Sequence, residues 1–152
     1  MNVGFGFKRD AEGILKRNNH KFDTYIHDTV EIGRQVNIDQ GSWRNTEIHE
    51  GTKIDSLVHI AHNVIIHEHC LIIAGAIILG SAEIGKFSYI GGGAIIKQRT
   101  KIGEHVIVGM GAVVIKDVKD NDIVAGNPAK SIKHKIKLTN DELWDMVARK
   151  VV

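Results

Sequence analysis

Isoleucine or valine recurs every six residues from Ile48 through Ile54, Ile60, Ile66, Ile72, Ile78, Ile84, Ile90, Ile96, Ile102 and Val108 to Val114. Four places after each stands a small or β-branched residue, from Thr52, Val58 and Val64 through Cys70 and Ala76 to Ala112 and Val118. A helix repeats every 3.6 residues and a simple strand every 2, so neither produces this pattern. A period of six fits a short strand plus a turn. Three such units close a triangular coil of about 18 residues, in which each isoleucine stacks on one from the next coil. The first and fifth positions of the hexad then face inward. The sequence has one proline and 16 glycines, so glycine and small residues are expected to make the turns.

The period is also present at Ile26, Ile32 and Ile38. Ten residues then separate Ile38 from Ile48, so a small loop within 41–46, carrying Trp43, is expected to leave the coil. The expected fold is an all-β solenoid of about five coils over residues 25–125. A non-periodic segment, 1–24, precedes it, and its form stays open. A tail, 126–152, follows. Asn127 and Pro128 mark a turn in that tail, and a basic run starts at Lys130. Thr139 and Glu142 have capping-box spacing. With Leu143, Trp144, Met146 and Val147 they predict a short α-helix over 140–150 that caps the open end of the solenoid.

Composition narrows the function classes. A net charge of +2 is too small for a nucleic-acid face. No stretch approaches the ~20 apolar residues of a membrane span, and the N-terminus lacks a signal-peptide core. With Cys70 as the sole cysteine, no internal disulfide forms, and a cytoplasmic setting is expected.

Five histidines, His49, His59, His62, His67 and His69, fall within 21 residues. None is at an inward hexad position, so all should point out of the coil. His62 and Gly80 lie 18 residues apart, one coil apart on one face. Adjacent coils are ~4.8 Å apart. An imidazole beside an exposed glycine N–H suits attack on an acyl thioester. The imidazole takes the acceptor's proton, and the N–H holds the tetrahedral oxyanion. His49 and His67 share a hexad position and form a competing candidate as zinc ligands. Cys70 is inward and reads as structural.

The segment IleAspSerLeuValHisIleAlaHisAsnVal, 54–64, with the GlySer pair at 80–81 and TyrIleGlyGlyGlyAlaIleIle at 89–96, resembles the UDP-acylglucosamine N-acyltransferases of lipid A synthesis. The resemblance implies a left-handed parallel β-helix, a homotrimer, His62 as catalytic base and Gly80 as oxyanion donor. It also implies a functional role for Asp55, seven residues before the base, and substrate contacts at Asn63 and Ser81. The lipid A enzymes carry a uridine-binding domain of roughly a hundred residues before their repeat, a usual domain size. Here some 24 residues precede it, and Arg99 stands where that family has a second histidine. Both differences speak against the lipid A substrate itself.

Residues 118–132 are similar to the ending of small acetyl-CoA-dependent sugar acetyltransferases. That similarity implies an acyl-CoA donor and a small-molecule sugar acceptor, with no metal needed and neither nucleic acid nor membrane as partner. His62, Gly80, Gln98 and Lys116 share the third hexad position. A donor would lie along this column, with Lys130, Lys133 and Lys135 available to its phosphates. The spacing of His49, His67 and a neighbouring subunit's His62 resembles instead the γ-class carbonic anhydrases, which is the alternative reading.

Overall fold

A computed structural model describes residues 3–133, 138–139, 141–142 and 145. The hexad period is realised as a left-handed parallel β-solenoid with three faces and between five and six turns. Face one carries Thr24–Ile26, Thr46–Ile48, Ile65–Ile66, Glu83–Ile84 and Lys101–Ile102. Face two carries Glu31–Ile32, Lys53–Ile54, Leu71–Ile72, Tyr89–Ile90, Ile107–Val108 and Ile123–Ala125. Face three carries Asn37–Ile38, His59–Ile60, Ile77–Ile78, Ile95–Ile96 and Val113–Val114. The register is unbroken: Ile60 pairs with Ile78, Ile78 with Ile96, and Ile96 with Val114.

Both inward columns are buried. Ile48, Ile60, Ile66, Ile72, Ile78, Ile84, Ile90 and Ile96 are fully enclosed, as are Val58, Val64, Ala76 and Ala82 of the other column. Each buried isoleucine contributes about 1.5–3 kcal/mol of transfer free energy. Cys70 belongs to the second column, donates to the Gly85 carbonyl at 3.2 Å, and has its thiol pushed up to about 12 by burial. It is an inert filler of the core.

The turns follow only in part the expectation that glycine and small residues make them, as Gly51, Gly75, Gly93 and Gly111 do. The residue with left-handed backbone sits at the fourth hexad position, and it is often not glycine: Leu57, Asn63, His69, Ser81, Phe87, Arg99 and His105 all have φ between 53° and 63°. Several glycines sit instead at position two, where the next coil leaves no room. A Cβ on Gly85 would lie 2.5 Å from the Gly103 carbonyl carbon. Parallel backbones stacked at sheet spacing account for these glycines, not turn geometry.

Two short antiparallel strands, Phe7–Arg9 and Leu15–Arg17, form a hairpin in the segment whose form the sequence left open. At the other end, the chain turns at 126–129 and returns antiparallel along face two, pairing Ala125 with Lys130. The capping box is present: Glu142 Oε2 accepts from the Thr139 N–H at 2.7 Å, and Thr139 Oγ1 accepts from the Glu142 N–H at 3.2 Å. Asp141, Glu142 and Asp145 are helical. The apolar residues expected to dock this helix, Leu143, Trp144, Met146 and Val147, lie outside the described residues, as does Lys135. Among the described residues no helix is long and apolar enough to cross a membrane.

Candidate active site

Three corners join the faces, and the candidate residues divide among them. His27, His49 and His67 stand on the corner after face one, Asp55 on the corner after face two, and His62 and Gly80 on the corner after face three. The parallel register places His62, Gly80, Gln98 and Lys116 in one column, as the spacing predicts, and adds Gln40 below His62.

His62 lies directly over Gly80. A Cβ on Gly80 would fall 2.8 Å from His62 Cε1 and 2.9 Å from Nε2. Any larger residue there would push the imidazole aside. The Gly80 carbonyl accepts from the Arg99 N–H at 3.0 Å, while the Gly80 N–H has no partner among the described residues. An imidazole and a glycine with an unpartnered N–H thus stand side by side on this corner.

Asn63 fixes the ring. This residue is fully buried. Its Oδ1 accepts from the backbone N–H groups of Ser42, Trp43 and Arg44 at 2.7, 3.2 and 3.5 Å, tying down the expected loop. Its Nδ2 lies 2.7 Å from His62 Nδ1. Turned over, the amide would face three N–H donors with its own NH₂, so Nδ2 is the donor and Nδ1 the acceptor. The neutral ring then carries its proton on Nε2. Asn63 therefore corrects its expected role. It has no surface to offer a substrate, because the loop and the ring use its whole amide. Ser81 stands beside it, with Oγ 3.4 Å from Asn63 Nδ2 and its N–H donating to the His62 carbonyl at 2.9 Å.

Two groups at this corner escape a reading of the sequence. His20, at the end of the N-terminal hairpin, packs edge-on to His62 with centroids 5.7 Å apart. It is 9% exposed, and neither ring nitrogen has a hydrogen-bond partner. Gly4 closes over both rings, since a Cβ there would meet His20 Cε1 at 2.8 Å and His62 Cβ at 3.2 Å. Asp39, buried at 4%, is the carboxylate whose charge bears on His62. Burial is the main cause that holds the His62 pKa below its ordinary value of 6.5. The nearby His20 adds to the depression, and Asp39 works against it. His62 is therefore neutral at neutral pH.

Asp55 does not join them. Seven residues is one hexad plus one, which carries Asp55 onto a different corner. There its Oδ1 accepts from the Ser56 N–H at 2.6 Å. Lys130 and Lys133 also part from the column within one chain. The tail runs back along face two, and the Lys133 ammonium donates to the Asn121 carbonyl near the first corner. Gln98 and Lys116 are exposed on the third corner. His59 lies on face three, with Nδ1 2.9 Å from Asn37 Nδ2.

A profile described as bacterial transferase hexapeptide (six repeats) matches residues 45–80 and 81–116. The chain belongs to the hexapeptide-repeat proteins. Among curated relatives, UDP-3-O-acylglucosamine N-acyltransferase 2 of Legionella pneumophila is 49% identical over 129 residues, 85% of this chain and 37% of the relative. The UDP-3-O-acylglucosamine N-acyltransferase of Methylorubrum extorquens is 38% identical over 86% of the chain and 37% of the relative. The hexapeptide-repeat chain thus spans little more than a third of the curated relatives it matches. The UDP-N-acetylglucosamine O-acyltransferase of Moraxella catarrhalis superposes with a TM-score of 0.73 at 24% identity, covering 88% of this chain and 58% of that one. An acetyltransferase domain from Neisseria gonorrhoeae, solved with acetyl coenzyme A, superposes at 0.50 with 28% identity over 72% of this chain and 55% of the other.

Proposed function

We propose that this chain transfers an acyl group from an acyl thioester, acyl-CoA or acyl carrier protein, to an amino sugar borne on a nucleotide. The observation that carries the reading is the His62 imidazole packed against Gly80, whose N–H has no partner among the described residues. The acceptor's amine or hydroxyl attacks the thioester carbonyl, and its proton passes to His62. The oxyanion of the tetrahedral intermediate is met by the Gly80 N–H. The C–S bond then breaks, and the thiol leaves with a proton. Carbon–nitrogen or carbon–oxygen bond formation balances carbon–sulfur cleavage, so no covalent enzyme intermediate is needed.

Base action through Nε2 requires the ring proton on Nδ1. The Asn63 contact is the resting arrangement. A half-turn of the ring takes Nδ1 off the amide, and exchange of the Nε2 proton for one on Nδ1 through solvent leaves the Nε2 lone pair free beside Gly80. The donor runs from Gly80 past Gln98 and Lys116. The names of the curated relatives support an amino-sugar acceptor, and the acetyl coenzyme A bound to the Neisseria domain supports a CoA thioester as donor. The third corner of one chain is an open face, which favours a trimer whose neighbouring subunit walls the site. In such a trimer a neighbour's Lys130 and Lys133 would be the ones to reach donor phosphates.

Calorimetry of chelator-treated protein with acetyl-CoA tests the donor, and His62→Ala tests the base. The expected result is donor binding without metal, and a fall in kcat of about 10²–10⁴ with donor affinity unchanged. Equal losses in kcat and donor binding would remove His62 from the chemistry.

A further inference from the structure

The first corner carries a cluster that acyl transfer does not use. His27, His49 and His67 take the second hexad position in three successive coils, in register through Ile26, Ile48 and Ile66. The His27 and His49 rings stack at 4.6 Å between centroids, and those of His49 and His67 lie 5.2 Å apart. Carboxylates flank the rings. Glu47 Oε2 is 3.3 Å from His49 Nε2, and Glu83 Oε1 is 2.9 Å from His67 Nε2. Glu68 Oε1 is 3.6 Å from His49 Nδ1. The ligand atoms of His49, His67 and Glu68 lie within 4.8 Å of one another.

We propose that His49, His67 and Glu68 of one chain bind a divalent transition-metal ion of the zinc class. Neutral imidazole nitrogen and carboxylate oxygen form a donor set suited to such an ion. Glu47 and Glu83 each hold one ring by Nε2, which leaves the Nδ1 atoms as the ligating nitrogens, and that of His49 lies 3.6 Å from Glu68 Oε1. A carboxylate on the far nitrogen of a ligating histidine fixes its tautomer and raises its basicity. All three ligands are partly buried and still open to solvent. A groove of about 530 Å³ lined by His67, Glu68, Glu83 and Lys86 lies beside the three ligands. His27 and Glu47 form a second, more exposed set that shares His49. This site differs from the zinc alternative considered above, because it needs no histidine from another subunit and leaves out His62.

The chelator-treated protein is titrated with ZnCl₂ by calorimetry and with CoCl₂ by visible absorption. One ion per chain is expected, with a Kd near or below ~10 µM and the ligand-field bands of low-coordinate Co²⁺. His49→Gln and His67→Gln should each abolish those bands. Glu83→Gln should weaken binding ~10–100-fold by loosening the His67 ring. His62→Ala should leave binding unchanged, which separates the metal site from the acyl-transfer reading. Circular dichroism confirms that each variant folds. Absence of the Co²⁺ bands, or an affinity indifferent to His49→Gln, overturns the proposal.

Discussion

The first and third corners of this solenoid carry histidines on the same backbone turn, yet their surroundings prepare them for different work. On the first corner, His49 and His67 are surrounded by Glu47, Glu68 and Glu83, and charge gathers there. The His67 hydrogen bond is the leading cause that holds the Glu83 carboxyl below its usual range. On the third corner, His62 faces a glycine, a buried amide and a second imidazole, with a single carboxylate nearby. Burial there disfavours the imidazolium. A repeat fixes where a side chain stands. The neighbours it meets from the loop, the hairpin and the next coil fix what it does.

That contrast breaks most readily at Gly80. Gly80→Ala puts a methyl group 2.8–2.9 Å from the His62 ring edge and must move the ring. The expected cost is roughly 10² in kcat, as for an ångström-scale misplacement. Circular dichroism should show an unchanged solenoid, since Gly80 is at a turn and outside the core. Unchanged kcat would mean that the contact of ring and backbone is incidental.

Asn63 offers a sharper cut. Asn63→Ala removes the acceptor of the Ser42 and Trp43 N–H groups and frees the His62 ring, at about 0.5–1.5 kcal/mol for each hydrogen bond lost. Asn63→Asp keeps an acceptor for the loop and turns the other oxygen toward Nδ1. Nitrogen-15 shifts of His62 should then report a proton on Nδ1, and the pKa of the ring should rise. A loop that loosens equally in both variants would show that the amide is not the pin.

The smallest effect is expected at Asp39. A base works only when neutral, so activity falls as pH drops through the His62 pKa, on a limb below 6.5. Asp39→Asn removes the one charge that raises this pKa, so the limb should move to still lower pH in the profile of kcat. The same sign governs stability. A depressed histidine pKa means that the unfolded chain binds more protons. The His62 contribution is therefore complete above 6.5 and is lost as pH falls through the folded value. An acid limb that moves upward in Asp39→Asn would contradict the electrostatic account.

The column of His62, Gly80, Gln98 and Lys116 was legible because a strict period of six makes stacking a matter of counting. Asp55 stands on a different corner from His62 within one chain for the same reason in reverse. A spacing of seven looks local along the chain but crosses a corner. Asp39 and His20 could not be read, because both depend on interruptions of the period. The loop after Gln40 breaks the 18-residue count between Asp39 and its neighbours, and the hairpin that delivers His20 has no period at all. Asn63 looked like a surface residue beside a catalytic histidine. Only the return of the 42–45 loop over it turns its amide inward.

The stacking of coils also sets an order of fraying. Each coil is held by its two neighbours, so an end coil has half the support of an inner one. Ile26 and Ile32 of the first coil are 50% and 41% exposed, whereas Ile60 and Ile78 are fully covered. Opening should therefore begin at the Thr24 end and cost progressively more toward the middle. His62 and Gly80 lie on inner coils with intact coils on both sides. The paired chemistry thus occupies the segment that local unfolding reaches last.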